Sequence, residues 1–145
     1  MRDQNSTEKY KNLWESTIAA ACGLFYAIRT EQKIRQVFIC LVIATAICAI
    51  ADVGYFQTLV IIFSWVLALI CEMFNTALEK ALDYTSGREF HPLIRQGKDY
   101  AAACTFVALI FAILLMLFVL KDRYFKAVEL QRAPTLEAIT GGETK

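Results

Sequence analysis

Residues Phe56 to Asp83 read FQTLVIIFSWVLALICEMFNTALEKALD, an apolar run that turns polar on one side only, and this stretch decides the fold. Between Asp52 and Glu72 lie 19 residues without a formal charge. A helix crossing a bilayer needs about 20 such residues, so continuing the helix through Glu72 makes residues 56–80 a span. The pattern recurs on either side: 16 uncharged residues lie between Arg35 and Asp52, and 21 run from Tyr100 to Leu120. The first of these is short, so Gln32 to Arg35 snorkel at one boundary and Asp52 marks the other. The expectation is an all-α membrane protein with three transmembrane helices, at 34–51, 56–80 and 98–120.

The whole chain agrees with that. It has 145 residues, 57% of them hydrophobic and 20% charged, which suits one domain and excludes disorder. Lys and Arg (15) barely outnumber Asp and Glu (14), giving a net charge of +1, which disfavours a nucleic-acid partner. Residues 1–12 are polar and no short apolar stretch with a cleavage site follows, so the spans themselves are expected to anchor the protein. Arg2, Lys9, Lys11, Arg29, Lys33, Arg35, Lys80, Arg88, Arg95 and Lys98 fall on one side of a three-span topology, whereas the turn at 52–55 has no basic residue. The positive-inside rule then places the amino terminus and the second loop in the cytoplasm.

Residues 13–30 place Leu13, Trp14, Ile18, Ala21, Cys22 and Phe25 at helical spacing, with basic residues flanking them. This is the pattern of an amphipathic helix lying in the membrane interface, or of a fourth bundle helix. Cys22, Cys40, Cys48, Cys71 and Cys104 all sit in apolar stretches without metal-type spacing, and are read as small packing residues. The tail from Lys121 to Lys145 is expected to form a short helix with a frayed end.

The informative residues are the polar ones of the second span, because such groups are costly in a membrane and are functional candidates by default. At about 100° per residue, Gln57, Ser64, Ala68, Glu72, Asn75, Glu79 and Asp83 share one stripe, and the opposite face is Leu, Ile, Val and Phe. Glu72 falls near the lipid boundary; Glu79 and Asp83 lie beyond it in water. Glu72 and Glu79 are separated by ~10 Å along the axis, too far to share one small ion unaided. They are placed to split roles: a general base acting on a lipid headgroup, and a ligand for a hard cation such as magnesium, which takes one or two carboxylates plus substrate phosphates. The loop from Tyr84 to Gly97 brings Arg88, Arg95 and His91-Pro92, and Lys98-Asp99 opens the last span. A boundary Lys is ordinarily an anchor; one with an acid beside it suits a phosphate-binding site.

The segments Glu72-Met-Phe-Asn75-Thr-Ala-Leu-Glu79-Lys-Ala-Leu-Asp83, His91-Pro-Leu and Gly97-Lys98-Asp99-Tyr-Ala-Ala-Ala closely resemble the signature of the small bacterial integral-membrane diacylglycerol kinases. That family includes the undecaprenol kinases of Gram-positive bacteria. The resemblance covers roughly residues 12–120 and is strongest at 69–103, and residues 121–145 lie beyond it as a tail of unassigned role. It implies a homotrimer in the bacterial inner membrane that transfers the γ-phosphate of ATP to the primary hydroxyl of a lipid. Diacylglycerol is the expected acceptor, giving phosphatidic acid, with undecaprenol as the alternative.

By the same resemblance, Glu72 is the catalytic base and Asn75 its partner in holding the reacting groups. Glu31 and Glu79 are the magnesium ligands, supplied by two helices, and both belong to the ATP-binding set. Lys98 neutralises the phosphates and Asp99 contacts the nucleotide, while Gly23 is a small position where ATP or lipid approaches; Glu89 and His91 complete the set. Val37 stands where some members carry a further acid. Neither a GxxxxGK[ST] nor a GxGxxG loop is present, in keeping with a family that does without them. A reading from another class, a small oligomer conducting protons, requires acids at mid-membrane on one helix. The sequence instead places them at a boundary, on two helices, beside a basic loop.

Overall fold

A computed structural model describes residues 13–87 and 91–140, with side chains described as far as Leu130 and at Arg132. Glu89, expected in the nucleotide set, lies outside the described residues, as does Arg88. Four helices follow one another: α1 (Leu13–Thr30), α2 (Gln32–Ile50), α3 (Tyr55–Thr85) and α4 (Pro92–Thr140). There is no strand among the described residues. Three of the helices, Gln32–Ile50, Tyr55–Thr85 and Pro92–Leu130, are long and apolar enough to cross a membrane. The chain is a helical membrane protein.

The joints between helices are short and chemically specified. Glu31 alone separates α1 from α2, with extended backbone (φ −97°, ψ 115°). Its N–H still reaches Ala27 O at 2.9 Å and its own carbonyl accepts from Arg35 N at 3.1 Å, so the two helices turn about one residue. Helix α2 ends in a Schellman motif: Val53 N–H returns to Cys48 O at 3.0 Å and Asp52 N–H to Ala49 O at 3.3 Å. The left-handed position of that motif is held by Asp52 at φ 50°, which Asp tolerates better than most residues. Past α3, Gly87 takes φ 58°, a conformation that glycine adopts without steric cost. Helix α4 starts at Pro92, the favoured first position for proline.

Helix α3 is the centre of the chain, packed against α2 on one side and α4 on the other, while α1 packs on α2. The core contains Ile34, Val37, Ala44 and Cys48 of α2, Ile61, Trp65, Ala68 and Leu69 of α3, and Ala108, Ala112 and Val119 of α4. Small side chains at Ala68, Ala108 and Ala112 suit the close approach of membrane helices. Val37 is itself a core residue, which accounts for an apolar side chain there. The polar stripe of α3 points inward: Ser64, Glu72, Asn75 and Thr76 are buried, whereas Phe63 (70% exposed) and Phe74 (74%) face outward. That inverts the pattern of a water-soluble helix and is what lipid as solvent demands.

Three details differ from the sequence reading. Helix α4 begins at Pro92 rather than near residue 98, because the His91-Pro92 start signal acts before the apolar run does. It also continues without a break through Thr140, so the expected separate tail helix is an extension of the last span. Of the cysteines only Cys48 is buried and Cys71 is half-buried; Cys22, Cys40 and Cys104 lie on exposed faces of this single chain. Helix α1 has no buried residue at all, as expected for a surface helix.

Candidate active site

The site is assembled where the α1–α2 joint meets the last four turns of α3 and the start of α4. Glu72 lies 17 residues after the start of α3, or ~26 Å along its axis. A span of about 30 Å that enters lipid at the start of α3 brings this carboxylate close to its far edge, and α3 carries Asn75, Glu79 and Asp83 onward from it.

Glu72 is 5% exposed and Asn75 3%. One oxygen of each, Glu72 Oε1 and Asn75 Oδ1, is buried without a hydrogen-bond partner. Orphaned buried polar atoms are uncommon and costly, of order 1–3 kcal/mol each; Trp65 Nε1 is another on α3, and the two acceptors in adjacent turns mark a place where the chain alone supplies no partner. The Asn75 amide is oriented by donating to Glu79 Oε1 at 3.3 Å.

Below this pair, two ion pairs cross between α2 and α3. Lys33 of α2 reaches Glu79 of α3 (Nζ–Oε1 3.4 Å), and Lys80 of α3 reaches Glu31 at the α2 start (2.5 Å). Glu31 and Glu79 are both half-buried, so their carboxylates are held at the helix ends yet open to water. No group of three or more His, Cys, Asp or Glu suited to a metal ion forms among the described residues. Magnesium carried on ATP needs only one or two carboxylates besides phosphate and water, and Glu31 and Glu79, each already holding a cationic group, fit that requirement.

Lys98, at the second turn of α4, is paired with Asp83 of α3. This corrects the expected Lys98–Asp99 unit: neighbours on a helix point about 100° apart, and Asp99 instead meets Arg95 one turn away at 4.0 Å, well exposed. His91 is exposed and caps α4, its Nδ1 accepting the Leu93 N–H at 3.3 Å. Gly23 lies on α1 with nothing within 4 Å of where a Cβ would stand, so space is left there for an approaching molecule. An open pocket of about 470 Å³ lies beside the site, lined by Lys80, Asp83, Tyr84 and Gly87. Lys33, Lys80, Thr76 and Tyr84 are not singled out as site residues by the sequence. For the two lysines the only available signal is their charge next to acids at two different helix ends.

A membrane-embedded helical chain with a buried carboxylate at the lipid boundary, flanked by acids and bases from three helices, defines a class: an enzyme that works on a polar group of a lipid. Comparison with known proteins names it. The description "Prokaryotic diacylglycerol kinase" belongs to the family model that matches residues 18–120. The chain is similar to the diacylglycerol kinase of Helicobacter pylori (30% identical over 102 residues, covering 70% of this chain and 79% of that one). It is similar also to those of Pseudomonas aeruginosa (33% over 99 residues, 68% and 80%) and Escherichia coli (28% over 110 residues, 76% and 89%). The chain belongs to the prokaryotic diacylglycerol kinase family and is a lipid kinase of the membrane.

Proposed function

We propose that the protein transfers the γ-phosphate of ATP to the primary hydroxyl of diacylglycerol, giving phosphatidic acid and ADP. The observation that carries this reading is the orphaned Glu72 oxygen, buried toward the end of the span and one turn from Asn75 with its own orphaned oxygen. A lipid hydroxyl donating to Glu72 would satisfy it and present the nucleophile. The carboxylate takes the hydroxyl proton as the alcohol oxygen bonds to the γ-phosphorus, and the bond from that phosphorus to the bridging oxygen breaks, leaving ADP. Asn75 orients the reacting groups, and Lys98 neutralises charge on the phosphates. Asp99, His91, Glu89 and Gly23 belong to the nucleotide side of the same reading. Magnesium, held by Glu31 and Glu79, supplies charge neutralisation at the transferring phosphate when bound.

Diacylglycerol is preferred to undecaprenol as acceptor because the similar proteins are named for it. The working arrangement is a homotrimer in the bacterial inner membrane with the site on the cytoplasmic side. The wide apolar faces of the single chain, Phe106, Phe111, Leu114 and Phe118 among them, are available to other copies and to lipid.

The test is incubation of the purified full chain with labelled ATP, magnesium and either diacylglycerol or undecaprenol in mixed micelles. Label is expected in diacylglycerol. Label in undecaprenol alone overturns the acceptor, and label in neither overturns the reaction.

A further inference from the structure

The crossed lysines have no part in the proton and phosphoryl transfer itself. Lys33 and Lys80 come from different helices, and each reaches over to the acid on the other: Lys33 to Glu79 and Lys80 to Glu31. As structural straps they are weak, since their side chains are 62% and 63% exposed. Exposed pairs of this kind add little to stability. What they do achieve is charge balance. Two acids brought to one end of the bundle by α2 and α3 form a negative site, and a magnesium–ATP complex is itself net negative. With both lysines present the four groups sum to zero, so the acids are available for the cation without repelling the phosphates that arrive with it.

We propose that Lys33 and Lys80 are phosphate-positioning residues of the nucleotide site that stand in for the divalent cation on Glu79 and Glu31 while the site is empty, and swing onto the ATP phosphates when magnesium takes the carboxylates. This rests on the lipid-kinase reading and on Glu31 and Glu79 as the cation ligands. The geometry suits the exchange. Both ammonium groups sit on long flexible stems beside open solvent, and Lys80 also lines the open pocket with Asp83 and Tyr84. A lysine released from its carboxylate stays within a side chain's length of anything bound there. Release costs little because both ammonium groups are exposed, while a charge-assisted bond to phosphate returns more.

The experiment uses the full chain in lipid nanodiscs and calorimetric titration with three probes: magnesium alone, ATP in chelator, and a non-hydrolysable ATP analogue with magnesium. In the pair Lys33→Met and Lys80→Met, affinity for magnesium alone is expected to rise, because the competing ammonium groups are gone. Affinity for the analogue with magnesium is expected to fall roughly tenfold, while metal-free ATP, which leaves the lysines on their carboxylates, changes less. Lys33→Arg with Lys80→Arg keeps the charge and restores ATP affinity, which a merely structural role does not predict. The wild-type chain gives an independent readout by mass spectrometry of lysine acylation: reactivity of Lys33 and Lys80 rises with magnesium alone and falls with magnesium plus the analogue. Unchanged affinities in the Met pair, or, where that pair fails to fold, unchanged acylation in the wild type, overturn the proposal. If the wild type phosphorylates lipid while these readouts stay flat, this inference alone is lost. If it phosphorylates no lipid and binds no nucleotide, the underlying function is lost with it.

Discussion

The two ends of the bundle are tied by the same chemistry, ion pairs between helices, yet one is closed and the other is left incomplete. At the end where α2 turns into α3, Arg123 of α4 donates from Nε to Ala51 O at 3.1 Å and from its terminal nitrogen to Asp52 Oδ2 at 2.7 Å. That guanidinium occupies a carbonyl that the end of α2 leaves open and the side chain of the left-handed residue at once, in the fork geometry that arginine provides. At the opposite end the ties are single-point lysine contacts, exposed and easily exchanged, around buried Glu72 and Asn75 oxygens that have no partner. A latch that satisfies every group it touches is built to stay shut. A latch that leaves acceptors unsatisfied is built to receive something.

The contrast is tested most severely at Glu72. Glu72→Gln keeps the shape and removes the base, so the turnover of lipid phosphorylation should fall by about 10²–10⁴ while the melting temperature of the purified protein holds or rises. Retained turnover would mean that the incomplete end is not the chemical one. Next in size, Glu79→Gln leaves Lys33 and the Asn75 amide without their charged acceptor. A loss of about 10–100-fold is expected, relieved in part by higher magnesium, as read from activity against magnesium concentration. At the closed end the effects should be on stability alone. Arg123→Ala removes both bonds and should cost about 1–2 kcal/mol in denaturant unfolding, with activity per folded molecule unchanged. Loss of turnover there would erase the distinction between the ends. Smallest is Asp52→Gly, which relieves the left-handed strain, worth about 1–2 kcal/mol, but gives up one of the Arg123 contacts. The net change in unfolding free energy should be within about 1 kcal/mol of zero.

Much of the architecture is legible in the order of residues alone. The spans follow from uncharged runs, since lipid tolerates no unpaired charge along a helix of that length. The inward stripe follows too: a helix with Ser64, Glu72 and Asn75 on one face and Phe63 and Phe74 on the other has one orientation in lipid, whatever surrounds it. Glu72 stands out for the same reason. Elements whose signals conflict are less legible. The start of α4 is set by His91 and Pro92 against an apolar count that begins at Tyr100, and local capping wins.

Which charge meets which is settled by packing. Lys33 and Glu79 are 46 residues apart, Lys80 and Glu31 are 49, and Arg123 and Asp52 are 71. Periodicity orders residues around a single helix, but not the rotation and register of one helix against its neighbour. Adjacency in the chain therefore suggests Lys98 with Asp99, and packing joins Lys98 to Asp83 instead. Where the chain enters lipid, and which face of α3 it must hide, can be read from the order of residues, because both are set by the solvent acting on each helix alone. The pairing of acids and bases at the helix ends depends on how three helices settle against one another, and that is a property of the packed chain.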